Sequence, residues 1–126
     1  MANAVASQTL FDGTKRAVIK LTNITDSTAE TAVKKVDVSA LFKAPSKVKI
    51  TRIWYICDGM AVQVLWDATS NVLACVLAKD QTGCLDFRSF GGLTNNAGTG
   101  VTGDILFTTS GHTAGDSYTV ILEVEK

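Results

Sequence analysis

The sequence is poor in several features that mark common classes of protein. Its 126 residues include one proline and one histidine, and only 19% are charged. No apolar run approaches the roughly 20 residues that a membrane-spanning helix requires. The stretch MANAVASQTLFDG has neither the basic region nor the apolar region of a signal peptide. Because 46% of the residues are hydrophobic, disorder is also disfavoured. We expect a folded protein made in the cytoplasm, with no membrane partner.

Excess charge of either sign is also missing. Twelve basic residues balance twelve acidic ones, and lysine and arginine form no cluster along the chain. Such a chain lacks the positive field that attracts nucleic acid, so we expect no nucleic-acid partner.

Cysteine is too sparse and too irregularly spaced for a disulfide framework or a zinc site. Cys57, Cys75 and Cys84 form an odd set without a CxxC pair, so we interpret them as buried thiols. The aspartates adjoin turns and lack the DxDxDG spacing of a calcium loop. The sequence therefore predicts no metal site and no cofactor.

What the sequence has in quantity is period-two alternation, which is typical of half-buried strands. Tyr118 to Val124 alternate between apolar and polar residues, and similar runs recur about once per dozen residues. Eight or nine strands are predicted, which favours an all-β antiparallel sandwich, with a jelly roll as one form. At most one short helical turn is expected, capped by Ser39 and stopped by Pro45.

Turn residues indicate how the strands connect. Ser110 to Asp116 separate two apolar runs and predict an antiparallel hairpin at the C-terminal end. Asp58-Gly59 predicts a second, two-residue hairpin. The length fits one domain, which we place at residues 7–126, after a flexible arm at residues 1–6.

Lys47 to Cys57 form the strongest predicted strand, and it is apolar on both faces. The face predicted to be core carries Val48, Ile50, Trp54 and Ile56. The opposite face carries Ile53, Tyr55 and Cys57. A sandwich strand needs only one apolar face, and an exposed second face would aggregate. We therefore predict that Ile53 and Tyr55 contact another subunit.

Two further stretches are candidate contacts. The irregular segment Gly91 to Gly103 has no phosphate-loop spacing and is interpreted as a contact loop, with Leu93, Asn95 and Asn96 as its candidate residues. The predicted arm contributes Met1, Ala2 and Asn3. Ordering such an arm on a partner costs entropy but extends the reach of the domain.

The sequence contains little evidence for a catalytic site. His112 lies in a glycine-rich turn near Ser110 and Asp116, which suggests a hydrolytic triad. A triad histidine must be held by a buried acid, and a turn does not provide one, so His112 is interpreted as a solvated turn residue. No catalytic residue is predicted, and the protein is expected not to be an enzyme.

Several stretches together resemble a family of small virion structural proteins encoded in tailed bacteriophages. They are SQTLFDGTKRAVIKLTN, KVDVSAL, RIWYICDGMAVQVLWD, LDFRSFGGLTNNAGTGVTGDILFTT and SGHTAGDSYTVILEVEK. The resemblance covers most of the chain from Ser7 onward. It implies a capsid decoration (cement) protein that binds the major capsid protein on the outer surface of the virion. It also implies a homo-oligomer, with a trimer favoured.

Two alternatives to the decoration role remain open. One is a neck or tail component of the same virion. The other is a carbohydrate- or receptor-binding module that uses Tyr55 and the segment from Gly91 to Gly103. The number of copies per particle separates decoration from a neck position, and glycan binding separates the module from both.

Overall fold

The computed structural model describes residues 4–25, 30–111 and 113–126, and these residues form nine strands. The strands are β1 (Ala4–Asp12), β2 (Arg16–Ile24), β3 (Val33–Val36), β4 (Lys49–Asp58), β5 (Ala61–Trp66), β6 (Val72–Leu77), β7 (Thr82–Asp86), β8 (Ile105–Ser110) and β9 (Ser117–Glu125). The described residues contain no α-helix. They contain two 3-10 turns, at Val38–Ala40 and Arg88–Phe90.

The strands form two antiparallel sheets that pack as a sandwich. The five-stranded sheet has the order β1-β2-β9-β4-β7, and the four-stranded sheet has the order β3-β8-β5-β6. Strand pairs are nested: β2 with β9, β3 with β8, β4 with β7 and β5 with β6. Such nesting describes one long hairpin rolled into two sheets, which is the jelly-roll arrangement. The predicted all-β sandwich is confirmed.

Both predicted hairpins are wrong. β8 and β9 lie in different sheets, and so do β4 and β5. Gly59, with φ +78°, lies where the chain passes from one sheet to the other. A Cβ at this position would lie only 2.2 Å from Asp116 Cγ, so there is no room for a side chain. Alternation and turn chemistry predict that a strand ends and reverses, but they do not say which strand pairs with it.

The core lies between the two sheets and confirms the predicted inner face of β9. Tyr118, Val120, Leu122 and Val124 are all buried. The four-stranded sheet supplies the opposing side chains, among them Val62, Val64, Trp66, Ile105 and Phe107. Because β9 lies between β2 and β4, its inner residues occupy the centre of the five-stranded sheet.

The N-terminal boundary of the domain is earlier than predicted. Ala4, Val5 and Ala6 pair with Ile24, Asn23 and Thr22 of β2, so the predicted arm is wrong for residues 4–6. Backbone pairing does not require large apolar side chains, which is why small residues gave no strand signal. Residues 1–3 of the predicted arm lie outside the described residues.

The short turn after β3 is present, but its cap differs from the prediction. Asp37, rather than Ser39, is the capping residue of Val38–Ala40, and Asp37 Oδ1 accepts a hydrogen bond from the Ser39 N–H at 3.0 Å. Hydrogen bonds from Ser39 hold the pKa of the Asp37 carboxyl below its usual value. The prediction failed by two positions because both residue types are good caps.

Candidate contact surface

A β-bulge in β4 determines which side chains reach the surface. Ile50 pairs with Val124 and Arg52 pairs with the adjacent Glu123, so Thr51 is an extra residue in β4. A bulge of this kind shifts the alternation by one position. Ile50 faces the core before the bulge, and Ile53 faces it afterwards. The predicted faces are therefore wrong from Thr51 onward.

As a consequence, Trp54 and Ile56 lie on the outer face of the five-stranded sheet. Trp54 pairs with Ile121 on one side and with Cys84 on the other, and Ile56 is 54% exposed. We call this surface the outer patch. It consists of Trp54, Ile56, Thr82, Cys84, Thr119 and Ile121, which line one shallow depression together with Tyr55 and Gly83. Three adjacent strands hold these side chains, so the patch is rigid.

A row of paired charges borders the outer patch, centred on Glu123. The Arg52 guanidinium donates to Glu123 Oε2 at 2.8 Å, and the Thr51 hydroxyl donates to Oε1 at 2.8 Å. Arg16 Nη1 lies 3.6 Å from Oε2. The hydrogen bond from Arg52 is the main cause that holds the pKa of the Glu123 carboxyl below its usual 4.5. Both arginines therefore contact a carboxylate of their own chain.

Two further contacts extend this row across the sheet. Arg88 Nη2 lies 2.6 Å from Asp86 Oδ2, and hydrogen bonds from Arg88 lower the pKa of Asp86 to about 2. Arg52 also lies over the Trp54 ring, 4.6 Å from its centroid. The row therefore connects directly to the apolar side chains of the outer patch.

The structure separates the two predicted subunit contacts on β4. Ile53 is completely buried in the core and is not on the surface, which corrects its predicted outward orientation. Tyr55 is half-buried, packs against the core, and lies over Gly83, where an added Cβ would be 3.5 Å from the hydroxyl. Tyr55 also lines the depression of the outer patch. The apolar second face exists, but other residues form it.

Two of the three candidate residues in the predicted contact loop are packed into the domain. Leu93 exchanges backbone hydrogen bonds with Ile50, at 2.7 and 3.1 Å, and packs against the core. Asn95 is only 8% exposed, and its Oδ1 accepts from the Ala97 N–H at 2.9 Å. Asn96 is exposed. Of the three predicted loop contacts, Asn96 alone is freely accessible; Met1, Ala2 and Asn3 lie outside the described residues.

A buried polar cluster between the sheets was not predicted from the sequence. Asn23 Nδ2 and the Tyr118 hydroxyl donate to Glu30 Oε1, at 3.1 and 2.6 Å, and Lys35 forms an ion pair with Glu30 Oε2. The Glu30 N–H donates to Thr109 Oγ1 at 2.9 Å. Glu30 lies in a segment that composition predicts to be a polar loop. The one available signal was Tyr118, whose buried hydroxyl needs a partner.

Reactive groups are dispersed in the part of the chain that the structure covers. No three His, Cys, Asp or Glu side chains are grouped for a metal within residues 4–25, 30–111 and 113–126. Burial raises the pKa of both Cys57 and Cys75 to about 11. No helix within those ranges has the length and hydropathy to span a bilayer. His112 lies outside the described residues. Among the described residues, the outer patch is the candidate contact surface.

Comparison with known proteins gives no independent assignment. No protein-family model matches the chain, and no curated protein matches it.

Proposed function

We propose that this chain is a non-enzymatic structural protein of a tailed-phage virion, specifically a capsid decoration protein. In this role it binds the major capsid protein on the outer shell and stabilises the particle. The observation that carries the proposal is the outer patch, an apolar surface on the central strands of a rigid sheet.

The outer patch has the character of a contact surface rather than of ordinary solvent-exposed sheet. Trp54, Ile56 and Ile121 form a contiguous apolar group where a solvated sheet would carry polar side chains. Contiguous apolar surface of this kind marks interaction sites in soluble proteins. Because strand pairing already fixes the side chains, binding costs little conformational entropy. Burying this surface against a shell would stabilise both partners.

The bordering charges fit binding to a shell better than binding to the packaged genome. Glu123 and Asp86 each bind arginine, so the three arginines of the row exceed its two carboxylates by a single charge, too little to attract nucleic acid strongly. Trp54 and Arg52 are residue types that are enriched at the centre of protein interfaces. This part of the surface therefore favours a protein partner.

Stabilisation of the shell requires several contacts at once. A patch of six side chains is smaller than the roughly 800 Å² per partner of a stable interface, so one contact is weak. A homo-oligomer that engages several capsid subunits at once gains avidity without a stronger single contact. The resemblance favours a trimer, and each copy would link neighbouring capsid subunits.

The test compares two exposed apolar residues on opposite sheets. Ile56→Asp places a charge in the outer patch, and Leu73→Asp places one on β6, where Leu73 is 50% exposed. We expect Ile56→Asp to lower occupancy on expanded capsids at least tenfold, about 1.4 kcal/mol, while Leu73→Asp binds as wild type. Occupancy is read by pelleting purified protein with capsids, and circular dichroism confirms folding.

Equal occupancy of the two variants would exclude the outer patch as the capsid contact. Wild-type protein that fails to bind capsids altogether would overturn the decoration role. Copy number then separates the candidates: hundreds per particle indicate decoration, and about a dozen or fewer indicate the neck or tail.

A carbohydrate-binding module is the second candidate, because Trp54 lies on the surface rather than in the core. A partly exposed tryptophan beside polar side chains can stack on a sugar ring. Retention of wild-type protein on a glycan column, lost in Trp54→Ala, together with no capsid binding, would favour this function.

A further inference from the structure

The sandwich has four edge strands, and three of them carry features that prevent pairing with another chain. β3 carries Lys34 and Lys35. β6 has a bulge, because Leu73 and Cys75 pair with adjacent residues of β5. β7 has only five residues and ends at Asp86. Lysines, bulges and short length are established ways to protect an exposed edge.

β1 lacks such protection over most of its length. It has nine residues, and its pairing with β2 is regular from Ala4 to Thr9, ahead of an irregularity at Leu10. This regular part contains no charged residue and no proline. The residues from Val5 to Phe11 are all exposed, so β1 gains little burial from the core. Within residues 4–25, 30–111 and 113–126, no strand pairs with the outer edge of β1, which can therefore serve as a template for a further strand.

We propose that β1 pairs antiparallel with β1 of a second copy of this chain, about a two-fold axis. The two five-stranded sheets then become one continuous sheet of ten strands. A two-fold axis perpendicular to the sheet keeps inner side chains opposite inner side chains, so the register must centre on a single residue. With Ser7 at the centre, the regular part of β1 in one subunit lies opposite the regular part of β1 in the second copy.

The Ser7-centred register matches compatible side chains. Val5 lies opposite Thr9 of the partner subunit, and Ala6 lies opposite Gln8 of the partner subunit. Two β-branched residues form a favourable cross-strand pair, and no like charges oppose one another. The strand is therefore self-complementary, which is why the second copy is favoured over a different chain.

The charges beside β1 are also compatible with a second copy. A groove between β1 and β3 is lined by Val5, Ser7 and Val33 together with Lys34 and Lys35. Lys34 Nζ lies 3.1 Å from Asp104 Oδ2, and Lys35 is paired with Glu30. Since both lysines are matched within their own chain, bringing two grooves together does not oppose unpaired positive charges.

The size of this contact sets its strength. Nine residues span roughly 30 Å, and a single added strand buries less than the roughly 800 Å² per partner of a stable complex. We therefore expect a reversible dimer in solution, which high local concentration on a shell would populate. A two-fold contact gives an even number of chains, in place of the trimer that the resemblance implies.

Sedimentation velocity of the full chain from ~1 µM to ~1 mM tests the contact. Wild type is expected to form a two-chain species. Ser7→Lys, which places like charges opposite each other at the centre of the register, should weaken dimerisation at least tenfold. Thr14→Lys adds the same charge in the exposed turn after β1 and should dimerise as wild type.

A cross-link checks the register independently. In a Cys84→Ser background, which removes the exposed native thiol, Ser7→Cys should form a covalent dimer on mild oxidation. Directly opposed residues have the Cα separation that a disulfide needs. Thr14→Cys in the same background should stay uncross-linked.

A wild-type mass of one or three chains at the highest concentration would overturn the inference. So would a dimer that is unaffected by Ser7→Lys and not captured by Ser7→Cys. Capsid occupancy is measured separately, since a chain that binds shells without dimerising overturns this inference and leaves the proposed function standing.

Discussion

Two isoleucines on β4 have opposite environments although only two residues separate them. Ile53 is fully buried, whereas Ile56 is 54% exposed. The bulge at Thr51 decides between them, because it assigns one apolar set to the core and the other to the surface. A strand that is apolar on both faces thus places one set of side chains in the core and the other on the proposed contact surface. The comparison between its faces can be tested by mutation.

The largest expected effect comes from truncating each isoleucine. Ile53→Ala removes three carbons from a packed core and should cost about 2–5 kcal/mol of unfolding free energy. Ile56→Ala should change it by about 0.5 kcal/mol or less, because the side chain is half in water. Urea denaturation of both variants measures the difference. Equal costs would mean that the two faces are not distinct.

A smaller effect is expected from the polar part of the same outer face. Glu123→Gln weakens the contacts with Arg52 and Thr51 and should cost about 1–3 kcal/mol at pH 7. The folded pKa of Glu123 lies below 4.5, so its stabilisation is present above about pH 4.5 and is lost as the pH falls through the folded value.

Wild type and Glu123→Gln should therefore converge in stability on acidification. Urea midpoints measured from pH 7 down to pH 3 check this. A gap between the two proteins that stays constant throughout that range would show that the carboxylate charge contributes nothing.

The smallest effect is spectroscopic and requires no loss of stability. Trp66 is fully buried, whereas Trp54 lies on the outer patch. Acrylamide should quench the fluorescence of Trp66→Phe, which retains Trp54, several-fold more strongly than that of Trp54→Phe. The reverse order would place Trp54 in the core and would remove the outer patch.

The fold was largely predictable because strand alternation follows from the pleat itself. The inner face of β9 could be assigned residue by residue, since no bulge interrupts Tyr118 to Val124. Strand partners could not be assigned, because most consecutive strands lie in different sheets, and only β1 with β2 and β5 with β6 are neighbours both in sequence and in a sheet. β1 was predicted too short because small residues such as Ala4 and Ala6 show no strand pattern in the sequence. The strand nevertheless forms there, since its pairing with β2 is made by backbone groups.

An apolar outer face on β4 was predictable, but the residues that form it were not. Two apolar faces on β4 indicated an external contact, yet Thr51 is an ordinary strand residue and gives no sign of a bulge. Because the predicted alternation was continued through Thr51 without a bulge, Ile53 was assigned to the outer face and Ile56 to the core. The Glu30 cluster was not predicted for another reason. Its partners Thr109 and Tyr118 are 79 and 88 residues away in sequence, too far for any local pattern to indicate the contacts.

The nested strand pairs determine the order in which the chain can fold during its synthesis. β5 and β6 are close in sequence and can pair early, whereas β9 is the last of the nine strands to be made and lies between β2 and β4. Until β9 emerges, both neighbours expose edges that the finished protein hides. Pairing between strands that are far apart in sequence is slow, and the incompletely folded chain is prone to aggregation in the meantime. A product that ends before Ser117 would lack the central strand of its larger sheet.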